Sequence, residues 1–182
     1  MEYYIEVFER IKSLVEQGED INQLHNGVSF LFEYIYAYIR DHIFRDSEYM
    51  EFFKRGPSLD EHPKEPFPKE LLLPLECRND DFLDHLNWFF ENGANPNLAD
   101  DESDLPVVYA ASEVDAPLME YLIEHGANPD IDDPVYGNLL AYYLSDRLDG
   151  DDYSDGYEGF GKSRKMALEV LKKNGIENPW LR

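Results

Sequence analysis

Residues 151–156, Asp-Asp-Tyr-Ser-Asp-Gly, carry the densest group of potential metal ligands in the chain. Acids at positions 1 and 5 and glycine at position 6 fit the start of a calcium-binding loop. The rest does not fit, because position 3 is Tyr153, and Lys162 stands at position 12, where a bidentate glutamate is needed. The sequence therefore predicts neither a metal site nor a bound cofactor.

Other catalytic residue types occur without the spacing that their chemistry needs. None of the five histidines is paired at i, i+4 with another, so a zinc site is unsupported. The single cysteine, Cys77, excludes an internal disulfide, and we expect it to be a packed, inert thiol. No serine lies in a nucleophile elbow, and no glycine-rich loop joins a strand to a helix. These observations favour a protein that is not an enzyme.

The charge of the chain narrows the class of partner. Its 182 residues include 39 acidic and 16 basic side chains, a formal net charge of −23, and 43% of them are hydrophobic. That apolar content is enough for one folded domain over residues 1–182. The negative field repels nucleic-acid phosphates and anionic lipid, and no apolar run is long enough to span a membrane. We expect a cytoplasmic protein, monomeric when free, with a basic protein partner.

The acids are concentrated in one part of the chain. Residues 79–161 hold 21 acidic residues and one basic residue, Arg147. They form three clusters, namely Asp100, Asp101, Glu102 and Asp104; Asp130, Asp132 and Asp133; and Asp149, Asp151, Asp152, Asp155 and Glu158. The clusters are either a docking edge for a Lys/Arg-rich partner or a solvated set of loops. Tyr136 and Tyr153 lie among them and favour a site, because aromatic anchors carry much of interface energy.

A repeat identifies the elements that position these acids. Asn-Gly-Ala-Asn-Pro-Asn at 92–97 and His-Gly-Ala-Asn-Pro-Asp at 125–130 place Gly93 and Gly126 33 residues apart. Each glycine follows apolar residues at helical spacing, which predicts that it ends a helix in the left-handed conformation. Gly18, Gly56 and Gly175 lie in the same context. One unit of 33 residues with insertions accounts for all the spacings.

This pattern resembles the ankyrin repeat family. The best unit runs from Leu-Pro-Val-Val-Tyr-Ala-Ala at 105–111 to Gly126, and another runs from Leu-Pro-Leu-Glu-Cys at 73–77 to Gly93. Further units open at Gly27 and Gly137. The resemblance implies an all-α solenoid of about four helix-turn-helix repeats plus an N-terminal capping helix, with inserted loops near 57–69 and 146–161. The family's Thr-Pro-Leu-His motif is absent, so other residues must cap the first helices.

The resemblance also implies a function. In ankyrin proteins successive finger-like turns align along one edge, so the acid clusters would form a ridge. Small stand-alone ankyrin-like proteins are known among bacterial immunity proteins, which suggests binding and neutralisation of a basic toxin or nuclease. The alternative is an inhibitor that imitates nucleic-acid phosphates in the basic cleft of a nuclease or DNA-binding protein. The expected partner-binding residues are Asp100, Asp101, Glu102, Asp104, Asp132, Asp133, Tyr136, Asp151, Asp152 and Tyr153.

Overall fold

The computed structural model describes residues 3–43, 69–78, 80–100, 104–145 and 160–176. Within these ranges the chain is mostly helical, with seven α-helices, two 3₁₀ helices and two hairpins of two-residue strands. The expected all-α class is confirmed at this level. Several predictions fall outside the described residues, namely the helix end at Gly56, most of both inserted loops, and the site residues Asp101, Glu102, Asp151, Asp152 and Tyr153.

The elements follow one another in a simple order. The α-helices are α1 Tyr3–Glu16, α2 Phe30–Ile43, α3 Asp80–Glu91, α4 Pro106–Ser112, α5 Ala116–Glu124, α6 Leu139–Tyr143 and α7 Phe160–Lys173. The 3₁₀ helices are Lys69–Leu72 and Leu75–Cys77. The antiparallel hairpins pair β1 Leu24–His25 with β2 Val28–Ser29, and β3 Asp132–Asp133 with β4 Gly137–Asn138. Phe160 and Gly161 thus belong to a helix and not to the loop predicted at 146–161.

Short polar side chains and prolines start the helices in place of the missing threonine. The Ser29 hydroxyl accepts a hydrogen bond from the Phe32 amide at 3.2 Å, and Asn138 Oδ1 accepts one from the Ala141 amide at 2.9 Å. Both residues end a hairpin, so each hairpin leads directly into a capped helix. Helix α4 instead begins with Pro106, whose fixed φ suits the first helical position.

Glycine ends the helices as predicted. Gly93 and Gly126 have φ of +82° and +95°, a region that side chains with a Cβ rarely adopt. The Gly126 amide donates to the Ile123 carbonyl, and the Ala127 amide donates to the Leu122 carbonyl, which together form a Schellman motif. The same pair of bonds recurs at Gly18, Gly93 and Gly175. These four predicted helix ends are therefore confirmed.

The helices pack in two layers. Helices α2, α4 and α6 lie side by side in what we call the inner layer, where α4 contacts both of the others. Helices α1, α3, α5 and α7 follow one another in the outer layer. There the Phe8 ring of α1 stacks on His85 of α3 at 3.5 Å, Phe90 of α3 contacts Tyr121 of α5 at 5.7 Å, and α5 packs on α7.

Aromatic rings join α2 to α3, a contact that the sequence did not predict. Tyr34 of α2 is fully buried, with its ring 5.8 Å from Phe82 and 5.3 Å from Phe89 of α3. The main packing of α2 is on α1. The unit predicted to open at Leu73 has only the three-residue 3₁₀ helix Leu75–Cys77 at that place. The helix predicted to end at Gly56, which would complete the unit that opens at Gly27, lies outside the described residues.

Candidate functional site

Two asparagines align the turns that follow the outer helices. The Asn22 side chain donates to the Gly93 carbonyl at 3.0 Å and accepts from the Asn95 amide at 2.7 Å. Asn97 repeats both bonds one turn further on, with the Gly126 carbonyl at 2.8 Å and the Asn128 amide at 2.7 Å. Each turn is thus fixed to the next by one amide side chain that acts as donor and acceptor.

Asn97→Asp tests this alignment. The carboxylate still accepts from the Asn128 amide, but it cannot donate to the Gly126 carbonyl and places negative charge against that oxygen. We expect the free energy of unfolding to fall by about 1 to 2 kcal/mol, measured by urea denaturation. Asn87→Asp is the matched control, because the Asn87 side-chain oxygen accepts from the Tyr121 hydroxyl and the change keeps that acceptor. Equal stability of the two variants would contradict the bridging role of Asn97.

The described acids of the predicted ridge lie on these turns. Asp100 Oδ1 accepts from the Asp104 amide at 2.8 Å and closes the turn before α4. Asp133 Oδ1 accepts from the amides of Val135 and Tyr136 at 2.8 and 3.0 Å and closes the β3–β4 hairpin. Asp132 is exposed on that hairpin. These acids therefore shape the turns and also present charge to solvent.

Exposed tyrosine side chains lie on the β3–β4 hairpin and on the inner-layer helix α2. Tyr136, at the hairpin tip, is 42% exposed and stacks on Tyr142 of α6 with ring centroids 4.2 Å apart. Tyr36 of α2 is 41% exposed, and its ring lies 5.5 Å from that of Tyr109 on α4. Of these, the sequence interpretation placed only Tyr136 in the site. Tyr36 was not among the expected partner-binding residues.

A partly buried acid, Glu113, follows Tyr109 by one helical turn at the end of α4. Burial raises the pKa of the Glu113 carboxyl, and the negative charge of Asp115 raises it further. Burial and then the charge of Glu113 also raise the pKa of Tyr109, while Arg40 of α2 acts in the opposite direction. Residues 80–145 contain no Lys or Arg at all. The surface thus combines desolvated negative charge with exposed aromatic rings.

Arg78 and Asp115 form a buried ion pair that the sequence interpretation missed. The Arg78 guanidinium donates to both carboxylate oxygens of Asp115 at 2.6 and 2.7 Å, and neither side chain is exposed. It also donates to the carbonyls of Leu71 and Leu73. Burial lowers the pKa of Arg78, but the hydrogen bonds and charge of Asp115 raise it by more. Asp115 Oδ1 in addition caps α5 through the Leu118 amide.

The described residues show no constellation for metal binding or membrane insertion. No group of three His, Cys, Asp or Glu side chains among them could hold a metal ion. No helix in these ranges is long and apolar enough to cross a membrane. Cys77 was expected to be packed, and that expectation is wrong, because Cys77 is exposed at the end of the 3₁₀ helix Leu75–Cys77.

The chain was compared with known proteins in three ways. A scan against protein-family models found no match, and searches of curated proteins and of solved structures found none either.

Proposed function

We propose that this chain is a non-enzymatic binding protein of the ankyrin-repeat type that docks a basic protein against its acidic turns and inner-layer tyrosines. Helices α1 to α7 of the described ranges belong to its repeat array. The two-layer packing, the recurrent glycine ends and the hairpins that lead into α2 and α6 support this type. Binding neutralises the partner, in the manner of an immunity protein.

One observation carries the proposal, namely acidic side chains on turns that hydrogen bonds align, together with exposed tyrosines. Within the described part of the chain, no Lys or Arg lies within ion-pair distance of Asp130, Asp132 or Asp133. Such charges repel one another and cost stability unless something offsets them. A basic partner offsets them, and Tyr36 and Tyr136 provide apolar area for contact.

The test compares two variants that each remove four negative charges. The turn variant changes Asp100, Asp104, Asp132 and Asp133 to Asn, which keeps the oxygen acceptors at Asp100 and Asp133 that close the turns. The control changes Asp81 and Asp84 to Asn and Glu120 and Glu124 to Gln on the outer helices. Affinity capture from native lysate identifies a partner. Binding kinetics with that partner then compare the turn variant and the control with the wild type.

We expect the turn variant to associate with the captured partner about tenfold more slowly than the wild type at low salt, because steering by a charged surface acts mainly on association. The difference should shrink as salt rises, and the control should stay near the wild type. Equal rates for all three proteins would mean that the turn acids are only a solvated surface. If short duplex DNA competes with this chain for the partner, the partner is a nucleic-acid-binding protein. This chain would then occupy its basic cleft as a nucleic-acid mimic.

A further inference from the structure

We propose that the inner layer and its hairpin recognise arginine side chains of the partner, at two positions where a pair of tyrosine rings accompanies a carboxylate at the same helix end or turn. This inference rests on the proposed function and specifies its partner as an arginine-rich segment. Arginine fits because its planar guanidinium stacks on an aromatic face and pairs with a carboxylate at the same time, whereas the lysine ammonium is a compact, strongly hydrated charge.

The first position combines Tyr36, Tyr109 and Glu113. The two tyrosine rings come from neighbouring helices, α2 and α4, and Phe32 supports both, with its ring 6.4 Å from Tyr36 and 5.5 Å from Tyr109. Glu113 immediately follows α4, four residues after Tyr109, and its charge acts on that tyrosine. Desolvation of a partly buried carboxylate is costly, and an incoming guanidinium offsets that cost.

The second position combines Tyr136, Tyr142 and Asp133. Tyr136 and Tyr142 stack with 29° between their planes, and Tyr142 is further fixed by Tyr143, 5.6 Å away. Asp133 Oδ1 accepts from the backbone amide of Tyr136, so this carboxylate and Tyr136 belong to the same hairpin turn. Tyr109 and Tyr142 occupy matching places, four residues after Leu105 and Asn138, the residues that precede α4 and α6. Because α4 and α6 pack side by side, both positions lie on one layer.

Arg40 is a competitor on the same surface. It is exposed on α2, and its positive charge acts on Tyr109. An incoming arginine at the first position is repelled by it. Arg40→Gln should therefore strengthen binding of an arginine segment, and recognition at Tyr109 requires the gain to be larger for arginine than for lysine.

The experiment uses two defined probes, a synthetic peptide of alternating arginine and glycine and a lysine counterpart of the same length and charge. Fluorescence anisotropy measures the Kd of each for the full chain. We expect the arginine peptide to bind at least about fivefold more tightly, the size of one partly desolvated cation–π contact. Tyr36→Leu, Tyr109→Leu and Glu113→Gln should each reduce this preference, and Arg40→Gln should increase binding of the arginine peptide. Tyr3→Leu, on the outer-layer helix α1, should leave it unchanged.

The outcomes separate the two proposals. Equal, salt-sensitive binding of both peptides would overturn arginine recognition and leave the proposed acidic docking surface intact. A preference for arginine that survives in Tyr36→Leu, Tyr109→Leu and Glu113→Gln would also overturn it, because the selectivity would then lie elsewhere. Binding of neither peptide would overturn it as well, and the proposed function would be decided by the capture experiment. Circular dichroism of each variant shows that the fold is retained.

Discussion

Asp115→Asn is expected to lower the free energy of unfolding by about 3 to 5 kcal/mol, the largest effect of any substitution considered for this chain. The change removes the charge that neutralises the fully buried Arg78 guanidinium. It keeps an oxygen that can accept the Leu118 amide, so the N-cap of α5 is preserved and the loss reports on the ion pair. Urea denaturation followed by circular dichroism measures the change.

Two further variants test whether that loss of stability comes from the buried ion pair. The double change Arg78→Met with Asp115→Ser removes both charges and keeps a capping hydroxyl, so most of the stability should return. Glu120→Gln breaks the exposed pair with Lys173 and should cost little stability, because solvent screens exposed ion pairs. If Asp115→Asn cost no more than Glu120→Gln, the Arg78–Asp115 pair would have to be open to water, contrary to the structure.

The ion pair also bears on the proposed site. Asp115 lies in the turn between α4 and α5, which is fixed from one side by Arg78 and from the other by the Ser163 hydroxyl of α7, a donor to the Val114 carbonyl at 2.5 Å. Glu113 immediately precedes this turn. A rigid turn places Glu113 and Tyr109 without the entropy loss that a mobile loop would bring to binding.

The helix ends could be predicted from sequence because their cause is local. Gly18, Gly93, Gly126 and Gly175 each follow an apolar helical stripe, and only glycine adopts the left-handed conformation there without strain. The same locality explains the correct all-α class. A hairpin, a cap and a helix end are each determined by residues a few positions apart.

The aromatic packing of α2 on α3 could not be predicted in this way. Leu105 and Gly126 bound their unit within 21 residues, whereas Ser29 before α2 and Gly93 after α3 are 64 residues apart. Leu-Pro-Leu at 73–75 lies at the expected distance before Gly93 and imitates a unit start. The rings of Tyr34 and Tyr38 pack on Phe82 and hold α2 against α3. Such long-range packing leaves no periodic signal in one sequence.

The candidate site was predicted in part. The acids were visible because the chain from 80 to 145 lacks Lys and Arg. Glu113 and Tyr109 were not, because their role depends on burial and on the neighbouring helix α2. The bridging asparagines did carry a signal, since Asn22 and Asn97 both stand four residues after a helix-ending glycine.

Gly126→Val is expected to lower the free energy of unfolding by about 2 kcal/mol, which is about 4 to 8 °C in Tm for a chain of this size. Gly126 has φ of +95°, where a β-branched residue is strained. A Cβ added there meets no atom within 4 Å, so the cost is conformational and not a clash. The Gly126 carbonyl also accepts from Asn97, and any shift of this backbone weakens the bridge between turns.

Gly126→Asn is the matched control, because asparagine tolerates the left-handed region better than valine does. It should fall between the wild type and the valine variant in thermal unfolding followed by circular dichroism. Gly93→Val, at φ of +82° with the same two backbone bonds, should lose about as much as Gly126→Val. Unchanged Tm values for both valine variants would mean that these turns do not hold the left-handed conformation in solution, and the alignment of the acidic turns would lose its structural basis.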